Sequence, residues 1–197
     1  MVLDSSNDCK LFSVNSEKNS IGFNMFDVRY KINVEPEDGS YNHMIERLMY
    51  PKPDDFEEDE EFCYEMWKKI SLGECLEFLL HQMDKVGYNF SPGKKTVKVF
   101  MNLLDHFSAA QINSIIYRAV ANSTKRFQEG NITKIHAQNL VISSCEHNGE
   151  RAIAEGWNLR GFSRNYNLPE SLLSKVFFTS ILKIADLGFE EKPTKGI

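Results

Sequence analysis

Apolar residues recur every three or four positions through most of the chain, and every second position only near its start. Between Cys9 and Val34, CKLFSV is followed by a polar turn, NSEKNS, and then by IGFNMFDVRYKINV. Ile21, Phe23 and Met25 alternate with small or polar residues, and Val28, Tyr30, Ile32 and Val34 do the same. The phase slips by one residue at Phe26–Asp27, which predicts a bulge or a second short turn. Two or three antiparallel strands are expected, too few to be stable without helices to lean on.

The turn-rich EPEDGS at Glu35–Ser40 ends this region. Met44, Ile45, Leu48 and Met49 then predict a short amphipathic helix, stopped by Pro51 and Pro53. Phe62, Cys63, Met66, Trp67 and Ile70 share one helical face, and Leu72, Cys75, Leu76, Leu79, Leu80 and Met83 continue the stripe to Gly87. Val97, Phe100, Met101, Leu104 and Phe107 form the next. Ser108-Ala-Ala-Gln111 reads as a capping box, with serine accepting from a backbone N–H while glutamine reaches back. The helix it opens carries Ile112, Ile115, Ile116, Ala119, Val120 and Phe127 and ends at Gly130. Thr133 caps a helix with Ile135, Leu140, Val141, Cys145, Ala152 and Ile153 inward, interrupted at Gly149 and closed at Gly156. Pro169 suits the first turn of a final helix that buries Leu172, Leu173, Val176, Phe177, Ile181, Ile184 and Leu187, with Gly188 and Phe189 as a Schellman stop. The fold class expected is mainly α: a bundle of four to six helices with a small N-terminal antiparallel β element. The division expected is a β-containing part with an acidic linker at 1–58 and a helical domain at 59–197.

Composition adds a core and a compartment. With 197 residues, 42% of them apolar and 14 of them Phe, the chain has enough apolar surface to fold. No apolar run approaches the ~20 residues of a membrane span. The start lacks the basic and apolar regions of a signal peptide, and the end lacks a lipidation box. A cytoplasmic protein with no membrane association is expected. Cys9, Cys63, Cys75 and Cys145 show no CxxC spacing and read as free thiols, mostly buried. Neither a metal nor a cofactor is expected.

Charge changes the picture more. The first 91 residues carry 19 acidic and 9 basic side chains, and Pro92 to Tyr166 carry 5 and 10. Surfaces of one sign recruit partners of the other. Two segments concentrate this. PKPDDFEEDEE at Pro51–Glu61 places Asp54, Asp55, Glu57, Glu58, Asp59, Glu60 and Glu61 around a single apolar residue, Phe56. It suits a basic partner, or simply a helix N-terminus, where the dipole favours carboxylates. WNLRGFSRNYN at Trp157–Asn167 interleaves Trp157, Phe162 and Tyr166 with Arg160 and Arg164, free of acids between Glu155 and Glu170. Arginine forks match phosphates and aromatic faces stack on bases, so the loop suits an anion or a nucleic acid. The helix N-terminus that follows would add backbone N–H donors. The competing reading has the aromatics tucked into the bundle and the arginines paired with Glu150 or Glu155. Lys94, Lys95, Lys98, Arg118, Lys125 and Arg126 would extend the loop into a basic patch if they faced it.

Other chemistry is thin. His147 and Glu150, or Glu146 and Glu150, fall on one helical face, but a metal centre needs further ligands that His43, His81, His106 and His136 do not supply. There is no GxSxG, Walker A or GxGxxG.

AIAEGW at Ala152–Trp157, the turn at Arg164-Asn165-Tyr166 and LPESLLSKVFF at Leu168–Phe178 give the stretch 107–189 a further aspect. It resembles a helical domain of uncharacterised bacterial proteins. The resemblance implies a helical fold and brings no activity, ligand or catalytic residue.

The function expected is a non-enzymatic binding or regulatory protein, with an acidic N-terminal surface for a basic protein partner and the basic-aromatic loop for an anionic one, nucleic acid among the candidates. One version is an inhibitor or immunity-type protein whose acidic surface fills its target's nucleic-acid channel. The alternative is a helical enzyme or small anionic-ligand binder with its site near Arg160 and Arg164. A third reading has the two charged parts neutralise each other within one chain or across a homodimer.

Overall fold

The computed structural model describes residues 2–3, 6–23, 28–31, 33–56 and 59–196. It is mainly helical, with a small antiparallel β element at the N-terminus. The chain divides into two compact units, Met1–Met49 and Tyr50–Ile197.

In the first unit the strands form two short ladders. β1 (Val2–Leu3) pairs with β4 (Tyr30–Lys31), and β2 (Phe12–Asn15) with β3 (Ser20–Phe23), both antiparallel. In the hairpin Phe12 faces Phe23, their rings edge-on at 5.9 Å. Asn15 accepts from the Lys18 backbone N–H inside the turn, and Asn19 takes the left-handed conformation that asparagine tolerates, at φ 44°. Asn7 brackets Arg29, accepting its N–H and donating to its carbonyl. The phase slip expected at Phe26–Asp27, with Met25 and Ile32 of the same pattern, lies outside the described residues. The turn at Glu35–Ser40 is present. Asp38 accepts from Arg47 Nη1 at 2.9 Å and from the Ser40 backbone N–H at 3.0 Å, which holds its carboxyl down at about 2. These bonds fix the start of α1 (Tyr41–Met49), which buries Met44 and leaves Ile45 and Leu48 exposed.

The second unit is built around α4 (Ala109–Gln128), which packs against α2 (Glu60–Lys85), α3 (Lys94–Leu104) and α5 (Lys134–Ala154). The Ser108–Gln111 capping box forms as expected, and Thr133 caps α5. Gly130 and Gly156 follow α4 and α5 in the left-handed conformation. Leu79, Met83, Phe100, Leu104, Ile112, Ile115, Ile116 and Val141 are fully buried between the four helices, each contributing about 2 kcal/mol by removal from water. Ile135, Ile153, Val97 and Leu80, expected inside, stand at the surface, while Thr96 and Phe78 are buried.

Two glycines do other work than expected. Gly149 does not interrupt α5; the helix runs through it to Ala154. A Cβ there would lie 2.2 Å from Leu103 Cδ2, so the missing side chain lets α3 and α5 close together. Gly188 is not a helix stop either. It is buried inside α7 (Leu187–Glu190), where a Cβ would meet the Phe178 ring at 2.3–2.6 Å.

The single final helix expected from Pro169 onward is broken into pieces. After α6 (Leu172–Lys175) comes a π-helical turn, Val176–Ile181, and only after a further break α7. Leu172 and Leu173, expected inside, are exposed; Phe177 and Phe178 turn inward to form a second core cluster with Trp67 and Ile70. The Trp67 and Phe178 rings meet edge-on at 5.8 Å, and Trp67 Nε1 donates to the Gly188 carbonyl at 2.8 Å. Phe177 packs edge-on against Phe178 at 5.3 Å within this π turn.

All four cysteines are free, with Cys9 exposed and Cys75 and Cys145 buried. Burial pushes the Cys145 thiol up to about 12 and raises Cys75 as well, so both remain inert core thiols. Among the described residues no helix is long and apolar enough to cross a membrane.

Candidate anion-binding site

The loop from Trp157 to Asn167 crosses the N-terminal end of α4 and is pinned at three points. Gln111, whose Oε1 closes the capping box, also donates from Nε2 to the Leu159 carbonyl at 3.1 Å. The Phe162 backbone N–H donates to the Ala110 carbonyl at 2.9 Å, and a Cβ on Gly161 would lie 2.9 Å from that of Ala110. Arg164 Nη1 donates to Glu74 Oε1 on α2 at 2.6 Å.

These anchors separate the two arginines expected to act as a pair. Arg164 turns inward. Its guanidinium lies 4.4 Å from the centre of the Phe189 ring and 4.0 Å from Glu170, and its partner Glu74 is also held by Ser174 Oγ at 2.9 Å. The pairing with Glu150 or Glu155 does not form; Arg151 takes Glu155 at 3.1 Å instead. Nor does the following helix offer a free N-terminus, since α6 is one turn long and already capped by Ser171. Arg160 remains outward, held between the pinned residues Leu159 and Phe162, and carries no ion pair among the described residues.

The aromatics divide in the same way. Trp157 packs partly into the core, with Nε1 donating to Glu155 and the Arg151 guanidinium 5.1 Å from its ring centre. Phe162 stands half out of the surface, edge-on to Phe78 at 6.5 Å and to Tyr117 at 5.6 Å. Tyr166 is 97% exposed.

Three hollows, of about 540, 290 and 500 Å³, border α4. The second and third run together as a trough along the helix, and the first, beside Arg160, shares no lining residue with either. The first holds Tyr117, Arg160 and Phe162; the second Arg118 and Trp157; the third Lys125, Arg126 and His147. Asn122 and Asn148 belong to both the second and the third. Among the described residues, Glu129 is the only carboxylate in the walls, and Lys125 pairs with it at 3.8 Å. Arg118 and Arg126 lack carboxylate partners among the described residues, as Arg160 does. Of the bases that would extend the loop's patch, Arg118 shares the second hollow with Trp157 and Leu159 of the loop, whereas Lys125 and Arg126 line the third, which holds no loop residue among the described ones. Lys94, Lys95 and Lys98 on α3 line none of the three hollows, and Lys95 lies 3.6 Å from Glu146. The spacing of basic residues on α4 was legible in the sequence; which of them meets the loop depends on how Gln111 and Glu74 pin it.

The acidic segment is partly taken up by the fold. Asp59 caps α2 by accepting the Phe62 backbone N–H at 2.9 Å, and Phe56 stacks on Phe62 at 5.9 Å. Glu61 bonds Lys195. Asp54 and Glu60 remain exposed, Asp55 lies in the 3₁₀ turn Pro53–Asp55, and Glu57 and Glu58 lie outside the described residues. Among the described residues no three His, Cys, Asp or Glu side chains gather as a metal would require. Comparison of the chain with protein-family models, curated proteins and solved structures finds no match.

Proposed function

We propose that the protein is a non-enzymatic binding protein whose trough along α4 takes a phosphodiester chain, with single-stranded nucleic acid the form it suits best. The observation that carries this reading is that Arg118 and Arg126 line the trough and Arg160 a neighbouring hollow with Tyr117 and Phe162, none of the three engaged by a carboxylate among the described residues. Arg118 and Arg126 are eight residues apart on one helix, about 12 Å along its axis. Cations at that spacing track a backbone rather than a single small anion. Exposed aromatic rings beside them supply stacking faces for bases, the arrangement that binds single strands with little regard to sequence. Asn122, Asn148, Ser143 and Ser144 add neutral hydrogen-bonding groups to the walls. The exposed Asp54 and Glu60 belong to the separate acidic segment proposed for a basic protein partner, as an inhibitor of a nucleic-acid-binding protein would have.

The test is fluorescence anisotropy with a labelled oligouridylate and a duplex of equal length. A site of about four nucleotides is expected. Changing Arg118, Arg126 and Arg160 together to Gln is expected to weaken single-strand binding at least about tenfold, with the unfolding midpoint unchanged. Equal binding by wild type and the triple variant would reject the trough. Tighter binding to the duplex would reject the single-strand reading.

A further inference from the structure

Apart from the trough, the start of α2 and the C-terminal segment enclose a pocket of about 160 Å³. Phe56, Tyr64 and Trp67 form one wall and Ile181 and Leu182 the other. An apolar cavity of ~150 Å³ is large enough for a benzene ring. The lining mixes apolar and polar groups about equally, so a ligand with both an apolar body and a polar head suits it.

The backbone around the pocket is unusual in the same place. The π turn ends at Ile181, in the wall, and Lys183 and Ala185 follow in the left-handed conformation, at φ 57° and 47°, although neither is glycine. Such conformations are unfavourable for residues with side chains and cluster at ligand sites. The left-handed turn places Lys183 in the wall, and its ammonium has no carboxylate partner among the described residues. Thr194 and Gly196 complete the lining on either side of Lys195, which bonds Glu61 and lies 5.4 Å from the centre of the Tyr64 ring.

Besides the hydroxyl-bearing Tyr64 and Thr194, the remaining polar lining among the described residues is Cys63 and Glu60. Cys63 Sγ lies 3.8 Å from the Phe56 carbonyl oxygen, and burial, with Asp59 nearby, raises its pKa, so it serves as a neutral wall rather than a nucleophile. Glu60 and Lys183 are both exposed charges at the pocket's edge; Glu60 sits in the first turn of α2, where the helix dipole already favours a carboxylate, and Lys183 has no carboxylate partner among the described residues.

We propose that this pocket binds a small carboxylic acid with an aromatic or branched aliphatic body, the body between Trp67 and Ile181 and the carboxylate toward Lys183.

The chain has two tryptophans, so Trp157→Phe leaves Trp67 as the only indole reporter. Benzoate and isovalerate are titrated against it, with benzyl alcohol and benzylamine as neutral and cationic probes. Isothermal titration of the unmodified chain guards against any effect of the Trp157 change. The expected result is saturable binding of benzoate at about 1 mM, fitting for so small a ligand. Lys183→Asn, which keeps a residue tolerant of the left-handed backbone, is expected to weaken benzoate about fivefold and leave benzyl alcohol unchanged. Ile181→Phe is expected to abolish binding of both while the fold is retained by circular dichroism. Absence of saturable binding by either method, tighter binding of benzylamine than of benzoate, or a Lys183→Asn variant indistinguishable from wild type would overturn the proposal.

Discussion

Arg164→Ala is expected to lower stability by about 3 kcal/mol, whereas Arg160→Ala, four residues away in the same loop, leaves it unchanged within about 0.5 kcal/mol. The difference lies in what each change leaves behind. The Glu74 side chain is 10% exposed, and its Oε1 accepts from Arg164 and from Ser174. Its Oε2 is already buried with no hydrogen-bond partner. Removing the guanidinium strands that carboxylate beside Glu170, away from water, and an uncompensated buried charge is what makes broken ion pairs expensive. Arg164→Lys should restore only part of the loss, since a lysine keeps the charge but not the planar group against Phe189. Glu74→Gln should be milder than Arg164→Ala, because it leaves no buried negative charge behind. Urea unfolding of the four variants reads this directly. A midpoint for Arg164→Ala equal to that of wild type would mean that Arg164 does not anchor the loop.

Gly188→Ala is expected to cost about 2 kcal/mol, and Gly149→Ala about half as much. Both added methyls overlap a buried side chain, at 2.3 Å from Phe178 Cγ and 2.2 Å from Leu103 Cδ2. What the neighbour can do about it differs. Leu103 Cδ2 is the end of a flexible side chain and can rotate. The Phe178 ring is held edge-on by Trp67 at 5.8 Å and by Phe177 at 5.3 Å, so it cannot turn aside without disturbing both. The backbone of Gly188 cannot retreat without stretching the hydrogen bond from Trp67 Nε1 to its carbonyl. Thermal unfolding followed through tryptophan fluorescence distinguishes the two. Equal losses in both variants would show that the second cluster yields as easily as the main core.

These two cases mark where the sequence was readable and where it was not. The capping box at Ser108–Gln111 and the Thr133 cap were legible because every partner lies within three residues. Most of the stripe from Cys63 to Met83 was legible because one long helix, α2, carries it against its neighbours, although Phe62 and Leu80 stand at the surface and Phe78 is buried instead. The region after Pro169 shows the same spacing of apolar residues and is not one helix. Its shape is decided by Phe177 and Phe178 packing on Trp67, more than a hundred residues earlier, and no local periodicity reports that. Gly188 looks like a helix stop in sequence and is instead a close-packing residue, because the ring that needs its space comes from the π turn. In the loop at 157–167, residue types were enough to single out an arginine–aromatic surface. They were not enough to assign the arginines, since Glu74 stands 90 residues from Arg164. The C-terminal pocket left no trace at all, as its walls come from both ends of the second unit.

The central claim, that the trough along α4 binds single-stranded nucleic acid through unpaired arginines, is tested most directly by the salt dependence of oligouridylate binding. Three phosphate contacts predict a slope of about −2 in log Kobs against log salt, or about a twentyfold loss between 50 and 200 mM. The triple Arg118, Arg126 and Arg160 variant should flatten that slope toward zero. No measurable binding at 50 mM salt, or binding whose affinity does not change with salt, would contradict the account.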